Sequence, residues 1–138
     1  GKGATLNGEP SHVSNRSFRD SMAAIGQGYG ERHETVQRLK PLWEYCFVHC
    51  RGIRALGTAE LSLCYVAAGR LDGYIEQAIM PWDYLPGNLI IREAGGVATN
   101  WKGELPSPNG MDSLLVGTPD FHQTMLPLCK NLQTRCGF

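Results

Sequence analysis

Short apolar runs alternate with helix-length stretches along most of this chain, and that alternation is what most limits the folds open to it. Ser21 to Ile25 is a brief apolar run, and Glu31 to about Tyr45 carries Val36, Leu39, Leu42 and Trp43 at inward-facing helical spacing. Arg51 to Leu56 again has strand character. A helix apolar on nearly every side follows, from Thr58, the natural N-cap, through Gly69. Tyr74 to Ile79 alternates as a strand, placing Tyr74, Glu76 and Ala78 on one face and Ile75, Gln77 and Ile79 on the other. Beyond a helix that ends at Gly95-Gly96, Val97 to Trp101 and Ser113 to Gly117 read as strands, and Thr118-Pro119-Asp120 opens the last helix. Pro41 and Pro127 are expected to bend or interrupt their helices. The sum is an α/β layered domain, a mixed β-sheet with helices packed on its faces.

The first residues are of another kind. Gly1 to Gly8 reads as a short strand ending in the Asn7-Gly8 turn, with Pro10 to Val13 as the returning arm. Two strands alone are marginal, so this hairpin needs a larger body to pack on. The opening Gly, in place of Met, points to a trimmed or excised segment.

A chain of 138 residues can build one real core. Lys plus Arg and Asp plus Glu balance at 13 each, so no net charge draws it to nucleic acid or to an anionic membrane. No apolar run approaches membrane-spanning length. Five Cys, an odd number scattered among apolar neighbours, favour reduced thiols and a cytoplasmic protein. Cys46, His49, Cys50 and Cys64 match no standard zinc spacing and read as buried or surface thiols. The glycines at 26, 28 and 30 do not form the dinucleotide fingerprint and read as a flexible strand-to-helix turn.

The most informative stretch runs from Pro81 to Gly96. It delivers one carboxylate, Asp83, to the start of a helix expected to bury Leu85, Leu89, Ile90 and Ala94. Asp83 reads either as an ordinary N-cap or as a ligand for a hard cation. Pro86, at the third helical position if Asp83 is the cap, removes one N–H that a capping carboxylate takes and so frees acceptor capacity. Glu76 is likewise open to two readings, a solvated charge on an edge strand or a functional acceptor.

Trp82-Asp83, Gly87 and Glu93-Ala94-Gly95-Gly96 resemble the C-terminal signature of the inositol monophosphatase family, the magnesium-dependent, lithium-sensitive sugar and inositol phosphatases. Gly57-Thr58-Ala59, with Val66 to Glu76, resembles the segment before that signature, and Gly1-Lys2-Gly3-Ala4 with Asn7-Gly8 resembles the strand and turn that open the family's second half. The resemblance implies that residues 1–138 form the C-terminal α/β domain of such a protein, with the N-terminal metal-binding domain absent. It implies that Asp83 binds a catalytic Mg²⁺, that Glu76 accepts hydrogen bonds from substrate hydroxyls, and that the backbone of Gly57, Thr58 and Ala59 lines the substrate pocket. The substrate would be a phosphorylated polyol or sugar, and the partners the N-terminal half of the same enzyme and, as is common in the family, a second copy in a homo-oligomer. The family's other metal carboxylates lie upstream of the matched region, so the chain alone is expected to be inactive. Asp112 and Asp120 read as a turn residue and a first-turn helix residue. Three positions depart from the pattern: Leu85-Pro86 replace two small residues, Glu60 replaces Ala, and Ser62 replaces Asp or Asn. A reading from another class is a non-catalytic module that binds a polyol or anion, or serves as an interaction surface.

Overall fold

A computed structural model describes residues 1–136, the side chains of Arg32 and Cys136 excepted. Four helices cover a five-stranded mixed sheet. In chain order the elements are the hairpin β1 (Ala4–Leu6) and β2 (Glu9–Ser11), β3 (Met22–Ile25), α1 (Arg32–His49), β4 (Gly52–Arg54), α2 (Ala59–Ala67), β5 (Gly73–Ile79), α3 (Leu85–Glu93), β6 (Val97–Thr99), β7 (Asp112–Gly117) and α4 (Pro119–Cys136). The strand order is β4-β3-β5-β7-β6. β4, β3 and β5 run parallel, whereas β7 pairs antiparallel with both β5 and β6.

Side-chain alternation sorts the core into two layers, one on each face of the sheet. Ala24, Tyr74, Leu114 and Val116 pack with α2 and α3 through Leu63, Val66, Ile91 and Ala94. Ala23, Ile25, Ile75 and Leu115 pack with α1 and α4 through Leu39, Leu42, Phe121 and Met125. The hairpin forms its own two-stranded sheet. Asn7 and Gly8 both take positive φ, 54° and 88°, as a two-residue hairpin turn demands. Its base is tied to α3, where the Gly3 N–H donates to Glu93 at 2.7 Å.

Several expectations need correction. β5 lies between β3 and β7, so Glu76 is on a central strand and only 8% exposed, not an edge charge in solvent. Ile79 packs on the α2 and α3 side with Tyr74, not with Ile75, because the β5–β7 register shifts between Glu76 and Ile79 and turns the end of the strand over. α3 buries Tyr84, Gly87, Ile91 and Ala94, and leaves Leu85, Leu89 and Ile90 exposed. A glycine holds the decisive place on that face, so apolar periodicity picked the wrong side. Val36 is likewise exposed, and Thr35 takes its place inward, accepting from the Gln77 amide at 3.0 Å. α1 and α4 each continue past an internal proline, to His49 and Cys136. α2 exposes Leu61 and Cys64, so it is not buried all round.

At the N-terminal ends of β3 and β5 one fully buried carboxylate joins three segments. Asp72 accepts from the Met22 N–H at 2.6 Å, from Arg16 Nε at 3.0 and 3.1 Å, and from the Ser14 hydroxyl. Its own backbone continues the pattern, accepting from the Thr118 N–H at 2.9 Å.

Candidate active site

The parallel strands β3, β4 and β5 all release their chains at the same end of the sheet, and the loops there enclose an open hollow of about 480 Å³. Such an end, outside the carboxyl ends of β3 and β5 where the strand order reverses, is where open α/β sheets place ligands. Gly57, Thr58 and Ala59 from the β4–α2 connection, Glu76 from β5 and Asp83 beyond it all line this one hollow. The five positions singled out in the sequence are therefore brought together, with Glu60, Tyr29 and Tyr74 among them.

Glu76 is held by the glycine loop after β3. The Gly26 N–H donates to Ile75 O at 2.9 Å and the Tyr29 N–H to Ala78 O at 3.0 Å, so the loop continues alongside β5. Between them the backbone N–H of Gly28 favours the ionised form of the Glu76 carboxylate. Gly28 has φ +71°, and a Cβ there would stand 3.0 Å from Ala78 O, so this close wrapping requires glycine. The Tyr74 hydroxyl donates to the carboxylate. Burial raises the Glu76 pKa, the Tyr74 hydroxyl and the Gly28 N–H oppose the rise, and the charge of Asp83 adds to it. The arrangement is an acceptor already oriented by a hydroxyl donor and facing a hollow.

Asp83 is not the N-cap of α3. It closes a single 3-10 turn, Pro81–Asp83, and Tyr84 occupies the cap position, with Pro86 at the second helical residue. No side-chain cap bond is made there. The bulge at the end of β5 and this turn aim the carboxylate into the hollow, where Oδ2 accepts from the Tyr29 hydroxyl at 2.8 Å. That hydrogen bond is the first cause of a raised Tyr29 pKa. No separate sequence signal pointed to Tyr29; its position within the glycine run was the one available cue.

Glu60 lies against the first turn of α3 at Gly87. Glu60 projects from the first turn of α2, and its Oε1 is buried without a partner among the described residues. Burial, and secondarily the charge of Asp83, raise the Glu60 pKa, while the Gly87 N–H lowers it. Thr58 holds the N-cap position of α2 without a side-chain cap bond, and its carbonyl accepts from Ser62 Oγ at 2.7 Å.

A carboxylate aimed into a polar hollow suits a hard cation. Asp83 fits one oxygen ligand. The described residues contain no group of three or more His, Cys, Asp or Glu able to hold a metal ion, so a complete site needs further donors. Asp112 and Asp120 are engaged elsewhere. Asp112 accepts from the Ser107 N–H at 2.8 Å and the Ser113 N–H at 2.7 Å, and Asp120 accepts from the Phe18 N–H at 2.6 Å. The four described cysteines that line or underlie the helices are free thiols, and the side chain of Cys136 lies outside the described residues.

A sequence model of the inositol monophosphatase family matches residues 1–134. The chain belongs to that family. Among curated members, it is 36% identical over 137 residues to an inositol-1-monophosphatase from Synechocystis, an alignment covering 88% of this chain and 47% of the relative. It is 36% identical over 104 residues to the Nus factor SuhB of Escherichia coli, covering 75% of this chain and 39% of that protein. The chain thus spans under half the length of these two relatives. Solved inositol monophosphatase structures share its fold. The enzyme from Anabaena (Nostoc) superimposes with a TM-score of 0.84 at 30% identity, over 95% of this chain and 52% of that one. An inositol monophosphate-bound SaIMPase-II gives 0.81 at 29% identity, over 99% and 54%. The sequence-level assignment to the inositol monophosphatase family, and to its α/β fold, is borne out.

Proposed function

We propose that this chain is the C-terminal part of a Mg²⁺-dependent phosphomonoesterase that hydrolyses inositol or sugar monophosphates. The observation that carries the reading is the convergence of Gly57–Ala59, Glu76 and Asp83 on one hollow at the strand-reversal end of a family-typical sheet. Family membership and the inositol monophosphate-bound neighbour support the substrate class.

In this reading Asp83 supplies one carboxylate oxygen to Mg²⁺, and the remaining ligands come from the other half of a full-length family member. The metal, when bound, neutralises charge on the phosphoryl group and lowers the pKa of water. The chain's own residues position the alcohol part of the ester. Glu76, oriented by Tyr74, accepts hydrogen bonds from ring hydroxyls, and ionised acceptors hold hydroxyl donors more strongly than neutral ones do. The backbone from Gly57 to Ala59 forms the opposite wall. Tyr29 fixes the rotamer of Asp83 through its 2.8 Å hydrogen bond. A second copy of the chain is a further partner, consistent with the exposed Trp82, Leu85 and Leu89.

The test is phosphate release from inositol 1-phosphate in Mg²⁺. The chain alone should be inactive, and activity should follow when it is combined with the N-terminal half of a full-length family member. Asp83→Asn should abolish that activity while leaving the thermal midpoint near wild type. Full turnover by the reconstituted Asp83→Asn protein would remove the metal role assigned to this residue.

A further inference from the structure

α4 carries a buried amide that its surroundings leave unsatisfied. Gln133 is 7% exposed, its Oε1 is buried, and its side chain makes no hydrogen bond among the described residues. Buried amides are normally paired, because burial takes away the bonds they make to water. The other buried glutamine, Gln77, at least donates to Thr35 at 3.0 Å.

Gln133 opens on a hollow of about 270 Å³ that shares no lining residue with the active-site hollow. Lys130, Gln133 and Thr134 stand at i, i+3 and i+4, so they present one face of α4 to it. The facing wall is the turn after β6, with Trp101 and Lys102. Asn100 pins that turn, its Oδ1 accepting from the Lys102 N–H at 2.9 Å and from the Glu104 N–H at 3.0 Å. Gly103 has φ +85°, and a Cβ on it would stand 3.5 Å from Lys130 Nζ, so turn and helix are in contact at that ammonium. Trp101 is 1% exposed, and its indole N–H is already given to Leu114 O at 3.2 Å. Thr134 gives its hydroxyl proton to Lys130 O at 3.0 Å. The donors left to meet a ligand are therefore two ammoniums and one amide. Neither lysine forms an ion pair among the described residues, and no carboxylate lines the hollow.

We propose that this hollow binds inorganic phosphate in its hydrogen-bearing form. Lys102 and Lys130 supply positive charge for the anion, and charge-assisted bonds to phosphate oxygens are the strong ones. Because acidic and basic residues balance over the whole chain, that charge is local to the hollow. Gln133 adds what a lysine pair lacks, a donor and an acceptor on one group. Hydrogen phosphate matches both, with ionised oxygens for the ammoniums and the amide N–H, and a P–OH for the amide oxygen. The terminal torsion of glutamine is soft, so a modest turn brings that oxygen round to the hollow. Sulfate, fully ionised near neutral pH, offers acceptors only. Binding here does not require the hydrolysis proposed above.

The Gln133 side chain reports on its own occupancy. Titration of the chain with phosphate at pH 7 and constant ionic strength, followed by nitrogen-15 correlation spectra, should shift the Gln133 amide pair saturably, with a midpoint on the order of millimolar. The Trp101 indole N–H, in the same wall, should move with it. Sulfate should bind about fivefold more weakly, having lost one hydrogen bond. Lys102 and Lys130 are exposed, so replacing both by alanine should leave the fold intact and weaken phosphate roughly tenfold. Gln133→Glu, which sets a carboxylate beside the anion, should abolish the Trp101 shift. A Gln133 amide that phosphate leaves unmoved would overturn the proposal. Equal affinity for phosphate and sulfate would do the same, as the mark of an adventitious ion only, and so would an affinity unchanged in the double lysine variant.

Discussion

Replacing Gly87 with alanine tests how closely α3 must approach α2. A methyl at Gly87 would stand 2.6 Å from Leu63 Cδ1, 2.8 Å from Leu63 Cβ and 3.0 Å from Glu60 Oε2, where ordinary contact begins at 3.4 Å. The Leu63 δ-methyl can rotate away, but its Cβ is fixed by the helix. The helices must therefore part by several tenths of an ångström. Overpacking of this kind costs about 1–3 kcal/mol, and alanine returns roughly 1 kcal/mol through its better helix propensity. The net loss is up to about 2 kcal/mol, and with a urea slope of ~2 kcal/mol per molar the midpoint should fall by up to about 1 M. The same displacement pulls Gly87 from Glu60 and shifts the turn that holds Asp83, so reconstituted turnover should fall by as much as ~10²-fold. Urea unfolding followed by circular dichroism reads the first effect, and phosphate release reads the second. A Gly87→Ala chain with a higher midpoint, gaining the full helix-propensity benefit, would refute the claim that this glycine is required by close approach.

Other perturbations reach different parts of the molecule. Asp72→Ala strips the partners from the Met22 N–H and from Arg16 at a fully buried position, and should cost about 3–5 kcal/mol, read as a large fall in urea midpoint; a change under ~1 kcal/mol would show that the anchor is dispensable. The folded state holds the Glu76 proton above the ordinary carboxyl value of 4.5, burial being the main cause. Its contribution to stability is therefore fully present below 4.5 and is lost as pH rises through the folded value. Thermal midpoints from pH 4.5 upward, wild type minus Glu76→Gln, should decline with pH, and a flat difference would contradict the assignment. Tyr29→Phe removes the 2.8 Å bond to Asp83 from a solvent-facing ring. It should leave the thermal midpoint within a degree or two and raise the Mg²⁺ concentration needed for half-maximal reconstituted activity.

Much of the architecture was legible because the signals were local. The Asn7-Gly8 turn, the strand before Gly26 and the Thr58 helix start each rest on residues whose backbone preferences act within a few positions. What failed depended on neighbours far along the chain. Glu76 looked like an edge charge because sequence alone does not say that β7, nearly forty residues later, pairs on its open side. The buried face of α3 was misread because Gly87 contributes no side chain to the apolar pattern and yet sits hard against Leu63 of α2. The approach of Glu60 to the start of α3 is a contact between two helices, invisible to rules about either one. The site residues emerged through motif resemblance, while Tyr29, which touches Asp83, sat in a loop whose glycines drew attention away from it.

The anchor at Asp72 and the hollow at Asp83 sit at opposite ends of the same strands. Natural variation can therefore act on the two ends separately. Residues at the open end can drift while the ionic knot keeps the fold above its stability threshold. A lineage that lost the knot would have to regain stability before the hollow could be remodelled, so change at one end of these strands is gated from the other.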